Sequence, residues 1–279
     1  MKKMLALLLA LVMVLSLAAC ASSQPAAATD AAASTETAET TETTEPAAEE
    51  SAEAPAESGK TYTVGVCQLV QHEALDAATQ GFVDALTEEL GDAVTVDVQN
   101  ASGDSVNCGT IVNGFVSKGV DLIMANATPA LTAAVSATAD IPILGTSITA
   151  YGVALDIDDF NGTVGGNVSG TSDLADLQAQ AQMILDWFPE TKTVGLLFCS
   201  AEPNSRYQID EVRKALEAQG VTCEEFAFTD SNDVSSVTQK AADFSDVVYI
   251  PTDNTAASNT EAIANVTVPA KTPDRKSHV

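Results

Sequence analysis

The sequence predicts an α/β protein of two doubly wound, parallel-sheet lobes, and three observations carry that reading. Thr63-Val64-Gly65-Val66-Cys67, an early apolar strand, returns almost unchanged as Thr193-Val194-Gly195-Leu196-Leu197-Phe198. Each copy is followed by the same succession of helix, strand, helix and strand. Three strand ends in one copy therefore have counterparts in the other, which chance rarely produces. Alternating strands and helices imply parallel sheets with right-handed crossovers.

The chain opens on a targeting pattern. Residues 1–20 hold Lys2 and Lys3, an apolar run from Leu5 to Leu17, and Leu17-Ala18-Ala19-Cys20 at the processing point. Such a run reads as an export signal and is short for a membrane span. The apolar residue, two small residues and cysteine resemble a bacterial lipobox. Cys20 is then the expected lipid attachment point, placing the protein on the extracytoplasmic face of the bacterial cell membrane. Each buried CH₂ of an acyl chain contributes roughly 0.8 kcal/mol to that anchoring.

Residues 21–59 consist almost wholly of Ala, Thr, Ser, Glu and Pro, without aromatic or large aliphatic side chains. Nothing there offsets the entropy of ordering, so the segment reads as a disordered acidic stalk. Residues 60–168 form the expected N-terminal lobe with its hinge, and residues 169–279 an incomplete C-terminal lobe. The net charge of −27 argues against nucleic acid as a partner.

In the first copy, Leu75, Ala78, Phe82, Ala85, Leu86 and Leu90 mark one helix face, followed by a strand at Val94–Val98. In the second, Ile209, Val212 and Leu216 mark the matching face before Gly220 and a strand at Val221–Phe228. Third strands fall at Asp121–Ala125 and Asp246–Ile250, and the Gly-rich stretch Ile157–Thr171 suits a hinge between the lobes. Cys67, Cys108, Cys199 and Cys223 match no zinc spacing and are expected as four free thiols, although a disulfide is left open.

Ligands of parallel sheets bind beyond the carboxyl ends of the strands. Two facing sheets place those ends on the walls of one cleft, which nominates Gln68, His72, Thr128, Thr146 and Ser147 from lobe one. Glu202, Asn204, Ser205, Asp253 and Asn254 come from lobe two. Thr128-Pro129 and Asn204-Ser205 open helices, whose free amides suit a carboxylate. Asp253 and Glu202 are acceptors for an ammonium, so the set reads as a zwitterion clamp. Each residue has a plainer reading, since Thr128, Ser205 and Asp253 are ordinary helix-cap types. There is no GxSxG, HExxH, phosphate-loop or GxGxxG motif, so no enzyme, cofactor or metal is expected.

These loops resemble a known family. Gln68-x-x-x-His72, Ala127-Thr128-Pro129, Gly165-Gly166-Asn167-Val168-Ser169-Gly170, Glu202-Pro203-Asn204-Ser205 and Pro251-Thr252-Asp253-Asn254 resemble ABC-transporter substrate-binding proteins of the tryptophan/tyrosine-binding type. The resemblance implies the type I periplasmic binding protein fold and an aromatic or hydrophobic amino acid held by the polar loops. It further implies presentation to an ABC permease, and a monomeric carrier is expected. Ala150-Tyr151 replaces the family's Asp-Pro pair, making Tyr151 a candidate stacking surface. The family continues past Lys271-Thr272-Pro273 with a buried strand and helix, where Asp274–Val279 is polar. A C-terminally truncated product with exposed apolar edges is therefore expected. The competing classes are a ligand sensor feeding a signalling receptor and a flavodoxin-like enzyme.

Overall fold

The computed structural model describes residues 59–276, within a unit spanning Ala56–Val279. The signal segment, Cys20 and the stalk up to residue 58 lie outside the described residues. Lobe one runs β1 (Tyr62–Gln68), α1 (Glu73–Leu90), β2 (Val94–Asn100), α2 (Ser105–Lys118) and β3 (Leu122–Asn126). It continues with α3 (Thr128–Ala137), β4 (Ile143–Ile148), α4 (Tyr151–Ala154) and β5 (Val168–Ser172). Its strands lie in the order β2-β1-β3-β4-β5, every pair parallel.

Lobe two runs α5 (Leu177–Trp187), β6 (Thr193–Cys199), α6 (Pro203–Glu217), β7 (Thr222–Phe228) and α7 (Val234–Phe244). After these come β8 (Val247–Ile250), α8 (Asn254–Ser258), α9 (Thr260–Ala270) and β9 (Asp274–Lys276), with sheet order β7-β6-β8-β9, again parallel. The central strands β1, β3, β6 and β8 are buried along most of their length, as strands covered on both faces must be.

The duplication extends to individual hydrogen bonds. Asp121 Oδ2 accepts from the Thr63 amide at 2.8 Å and its hydroxyl at 3.1 Å. Asp246 Oδ2 does the same for Thr193, both at 2.9 Å, and also takes the Lys192 amide. In both lobes an aspartate before the third strand thus fixes the start of the first. The glycines of the repeated strand are also matched. A Cβ on Gly65 would stand 2.5 Å from the Phe115 ring, and one on Gly195 would stand 2.7 Å from Ser245 Oγ.

Three boundaries differ from the sequence expectation. The division at 168/169 cuts through β5, which pairs with β4 from Ile143↔Val168 to Ile148↔Ser172 and so belongs to lobe one. The chain crosses between lobes after Ser172, where the Asp173 amide donates to the Ile148 carbonyl and Asp176 then caps α5. The Gly-rich stretch is accordingly not the crossing: it turns the chain into β5, with Gly165 and Gly166 at positive φ. The third difference is the polar tail. Asp274–Lys276 forms β9 against Val248–Ile250, because strand pairing needs only main-chain groups and an open edge.

Candidate functional site

The carboxyl ends of both sheets meet, as the topology requires. Helices α3 and α4 of lobe one stand against α6 of lobe two, and His72 Nε2 lies 3.3 Å from Asn254 Oδ1 across the divide. Two cavities open between the lobes. One of about 390 Å³ lies between Gln71–Ala74 and α8–α9. The other, about 410 Å³, is walled by Tyr151, Phe160, Leu174 and Tyr207.

In lobe one, Gln68 is buried and fully committed. Its amide donates to the Val70 carbonyl at 2.9 Å and Asp76 Oδ1 at 2.6 Å, and its oxygen accepts from the Thr79 hydroxyl at 2.6 Å. Asn126, at the end of β3, donates to the Leu75 carbonyl and to Thr79 Oγ1, at 2.8 and 2.9 Å. Together they pin α1 to the strand ends, which makes Gln68 a strut rather than a ligand contact. With both donors of Asn126 engaged, its Oδ1 is left buried and unpartnered.

The next residue is strained. Ala127 holds φ 90°, ψ 156°, a region that side chains other than glycine's rarely enter. The strain aims Thr128 at the opening of α3, where its hydroxyl is buried without a partner, 2% exposed. The neighbouring Ser147, also at a candidate position, has φ 56°. Thr146 is placed differently from the expectation. It lines a cavity of about 300 Å³ with Phe82 and Met124 on the α1 side of the sheet, because alternate residues of β4 face opposite ways.

Tyr151 is 6% exposed and its hydroxyl donates to the Gly145 carbonyl at 3.1 Å. Burial, helped by Asp173, pushes that hydroxyl up to about 12. The ring belongs to the core of lobe one while also lining the 410 Å³ cavity, so it is a buried wall rather than the open stacking surface expected.

In lobe two the candidate carboxylates are structural ties. Glu202 accepts from the Asn254 amide and side chain at 3.0 and 2.7 Å, and from the Thr255 amide and hydroxyl, both at 2.8 Å. Asp253 is fully buried; Oδ1 caps α8 through the Ala256 amide at 2.8 Å and Oδ2 takes the Cys199 amide at 2.6 Å. Burial raises its pKa, seconded by the nearby Glu202, while the two amides and Ser205 pull the other way. Neither side chain has room for a ligand ammonium, so the two-carboxylate clamp gives way to a loop-to-loop lock.

That lock arms Asn204. Its Nδ2 is held by the Thr252 carbonyl at 2.9 Å and by Glu202 Oε2 at 3.3 Å, which leaves Oδ1 buried and unpartnered on the first turn of α6. Ser205 is fully buried and hydrogen-bonded to Asp253. Tyr207, one turn beyond Asn204, lines the 410 Å³ cavity. Sequence reasoning named Asn204, placed Asn126 and Ala127 in a cleft loop without giving either a role, and missed Tyr207. The i, i+3 spacing from Asn204 to Tyr207 was the available signal; an alanine at positive φ leaves none.

Two parallel-sheet lobes whose strand ends meet, with orphaned polar atoms at or just beyond the ends of β3 and β6, define a type I periplasmic binding protein. The chain matches the family described as ABC transporter substrate binding protein over residues 63–276, and it belongs to that family. It is 33% identical over 223 residues to the tyrosine-binding protein of Clostridioides difficile, covering 78% of this chain and 64% of that one. It thus spans somewhat less than two thirds of that curated relative's length. These relatives are substrate-binding proteins rather than enzymes, as the missing catalytic motifs led us to expect.

Among solved structures, an ABC domain in complex with L-Trp from Streptococcus pneumoniae is 33% identical, with TM-score 0.74 over 79% of this chain and 75% of that one. The ligand-free, open structure of an adhesive substrate-binding protein from Clostridium difficile is 35% identical, yet its TM-score is 0.53 over 78% and 74%. Although slightly less identical, the ligand-bound relative fits far better. The lobes here stand nearer to that arrangement, in keeping with the His72–Asn254 contact.

Proposed function

We propose that this protein is the solute-binding lipoprotein of an ABC importer and holds a zwitterionic amino acid with an aromatic or large apolar side chain. The observation that carries the reading is the set of orphaned buried atoms, Asn126 Oδ1, Thr128 Oγ1 and Asn204 Oδ1. A buried polar atom without a partner costs about 1–3 kcal/mol, so a site that keeps three has a use for them.

Their chemistry divides the work. The Thr128 hydroxyl and the main-chain amides of Thr128 and Asn204, at the openings of α3 and α6, suit a carboxylate, helped by the positive helix ends. The Asn204 carbonyl oxygen suits an ammonium, since Glu202 behind it supplies negative potential without touching the ligand. The 410 Å³ cavity beside Tyr207 is of a size for an aromatic side chain. The L-Trp complex of the pneumococcal relative and the name of the clostridial one support this choice. Acylation of Cys20, residence on the outer face of the cell membrane, a monomeric state and delivery to a permease complete the proposal.

Titration calorimetry with L-tryptophan, L-tyrosine and L-leucine tests it. The aromatic amino acids are expected to bind, whereas tryptamine and indole-3-propionate, each lacking one charged group, bind far more weakly. Binding of a sugar or nucleoside with no response to any amino acid overturns the assignment.

A further inference from the structure

We infer that Cys67 and Cys108 are a disulfide-forming pair that clips the carboxyl end of β1 to the first turn of α2. Side chains alternate along a strand, so Gly65 and Cys67 face the same way. The Phe115 ring lies directly on Gly65, which identifies that face as the one α2 covers. Cys108 stands two helical turns before Phe115 on the same stripe of α2, with Val112 between them. Because α2 runs back against the direction of β1, moving from Phe115 to Cys108 follows β1 from Gly65 to Cys67. All four of these side chains beyond the glycine are fully buried in one core cluster, and the two thiols are near enough to shift each other's ionisation.

The two sulfurs are chemically unequal. The neighbouring Cys67 lowers the pKa of Cys108, against the opposing effect of burial, while Cys108 and burial raise that of Cys67. Either thiol can attack first with the same product; with Cys108 leading, Cys67 resolves. With a small-molecule disulfide as oxidant, Cys108 sulfur attacks one oxidant sulfur and releases the other as a thiol. Cys67, giving up its proton, then attacks Cys108 sulfur and expels the second oxidant thiol. Two protein thiols lose two protons and two electrons, and one disulfide is reduced to two thiols. The thiols are unbridged in this structure. Burial confines the reaction to folding or to opening of the α2 start.

The other two cysteines of the described residues have no such relation. Cys199 pairs in register with Phe228, and Cys223 with Val194, at opposite ends of β6. They serve as internal controls. A bridge at Cys67 also has a bearing on binding, since the next residues form the loop from Gln68 to His72.

The test refolds the full chain in oxidised and reduced glutathione, alkylates it with iodoacetamide, and maps the peptides by mass spectrometry. The expected product carries a Cys67–Cys108 cross-link two hydrogens lighter than the dithiol, with Cys199 and Cys223 alkylated. Its melting temperature rises on oxidation and falls again with dithiothreitol, whereas C67S melts alike in both. The native, already folded chain forms the link far more slowly. Alkylation of Cys67 and Cys108 after oxidative refolding, or a bridge to any other cysteine, overturns the inference.

Discussion

Helices α1 and α6 occupy the same place in the two copies, yet they are buried very differently. On α6, Ile209, Val212 and Leu216 are all fully buried. On α1, Leu75 is buried, but Phe82 and Leu86 are only partly covered and Leu90 is 38% exposed. The difference is a neighbour. Lobe two places α5 alongside α6, with Leu177, Ala181 and Ile184 in the same cluster as its apolar stripe. Among the described residues no helix precedes β1, and the sheet beside α1 carries the 300 Å³ cavity at Phe82, Met124 and Leu144 instead. A shared supersecondary unit therefore fixes where a helix lies, while the elements packed around it decide how much that position contributes.

The largest effect expected from this contrast is on stability. Leu216→Ala removes a fully buried side chain from a closed cluster and should cost about 3–4 kcal/mol. Phe82→Ala removes a larger side chain from a half-open position and should cost no more than about 1.5 kcal/mol. Denaturant titration of both variants measures the difference. Equal costs would mean that the α1 face is covered in solution.

Next in size are the matched glycines. Gly65→Ala pushes a methyl into the Phe115 ring, which is fully buried and cannot yield, and should cost about 2–3 kcal/mol. At Gly195 the nearest atom is the hydroxyl oxygen of Ser245, the tip of a small side chain with Phe226 behind it at 3.3 Å. Gly195→Ala should therefore cost about 1 kcal/mol less than its counterpart. A reversed order in thermal or denaturant melts breaks the parallel between the two first strands.

Most of this was legible in the sequence, for a reason visible in the residues themselves. Strand and helix order follow from apolar periodicity, and Thr-Val-Gly recurs because each copy needs a tie to its aspartate and a flat seat for its neighbour. The candidate loops also followed, since topology alone puts strand ends at the cleft. What each side chain does there was not legible. Glu202 and Gln68 carry the groups a ligand would want, but whether those groups face a ligand or the chain depends on partners far away in sequence, Thr255 and Thr79 among them. Burial makes the choice, and periodicity does not report it. The strand at Asp274–Lys276 was missed for a related reason: its pairing draws on backbone atoms that composition does not reveal.

The orphaned atoms extend the comparison of lobes to binding. Thr128→Ala in lobe one and Asn204→Ala in lobe two each remove one predicted ligand bond, and each should weaken an aromatic amino acid about tenfold, near 1.4 kcal/mol. Their analogue profiles should differ. Loss of Thr128 is felt least by a ligand without its carboxylate, and loss of Asn204 least by one without its ammonium. Calorimetry of both variants against both analogues separates the two roles, and identical profiles would erase the division of labour between lobes.

The smallest effect concerns the two aspartate ties. Hydrogen bonds from Thr63 hold the Asp121 carboxyl below its ordinary range, and the amides of Lys192 and Thr193 do the same for Asp246. A carboxylate whose folded pKa is lowered contributes stability that is in place above its unfolded value, and loses it as pH falls through the folded one. Asp121→Asn and Asp246→Asn should therefore each flatten the fall in melting temperature between about pH 4 and pH 2. Asp246 gathers one more main-chain donor than Asp121, so its variant should flatten the curve more. Both sites are close to solvent, which screens the interaction and keeps the change small. Should Asp121→Asn prove the stronger of the two, donor count is not what sets these ties, and the placement of the strand start in each lobe must be.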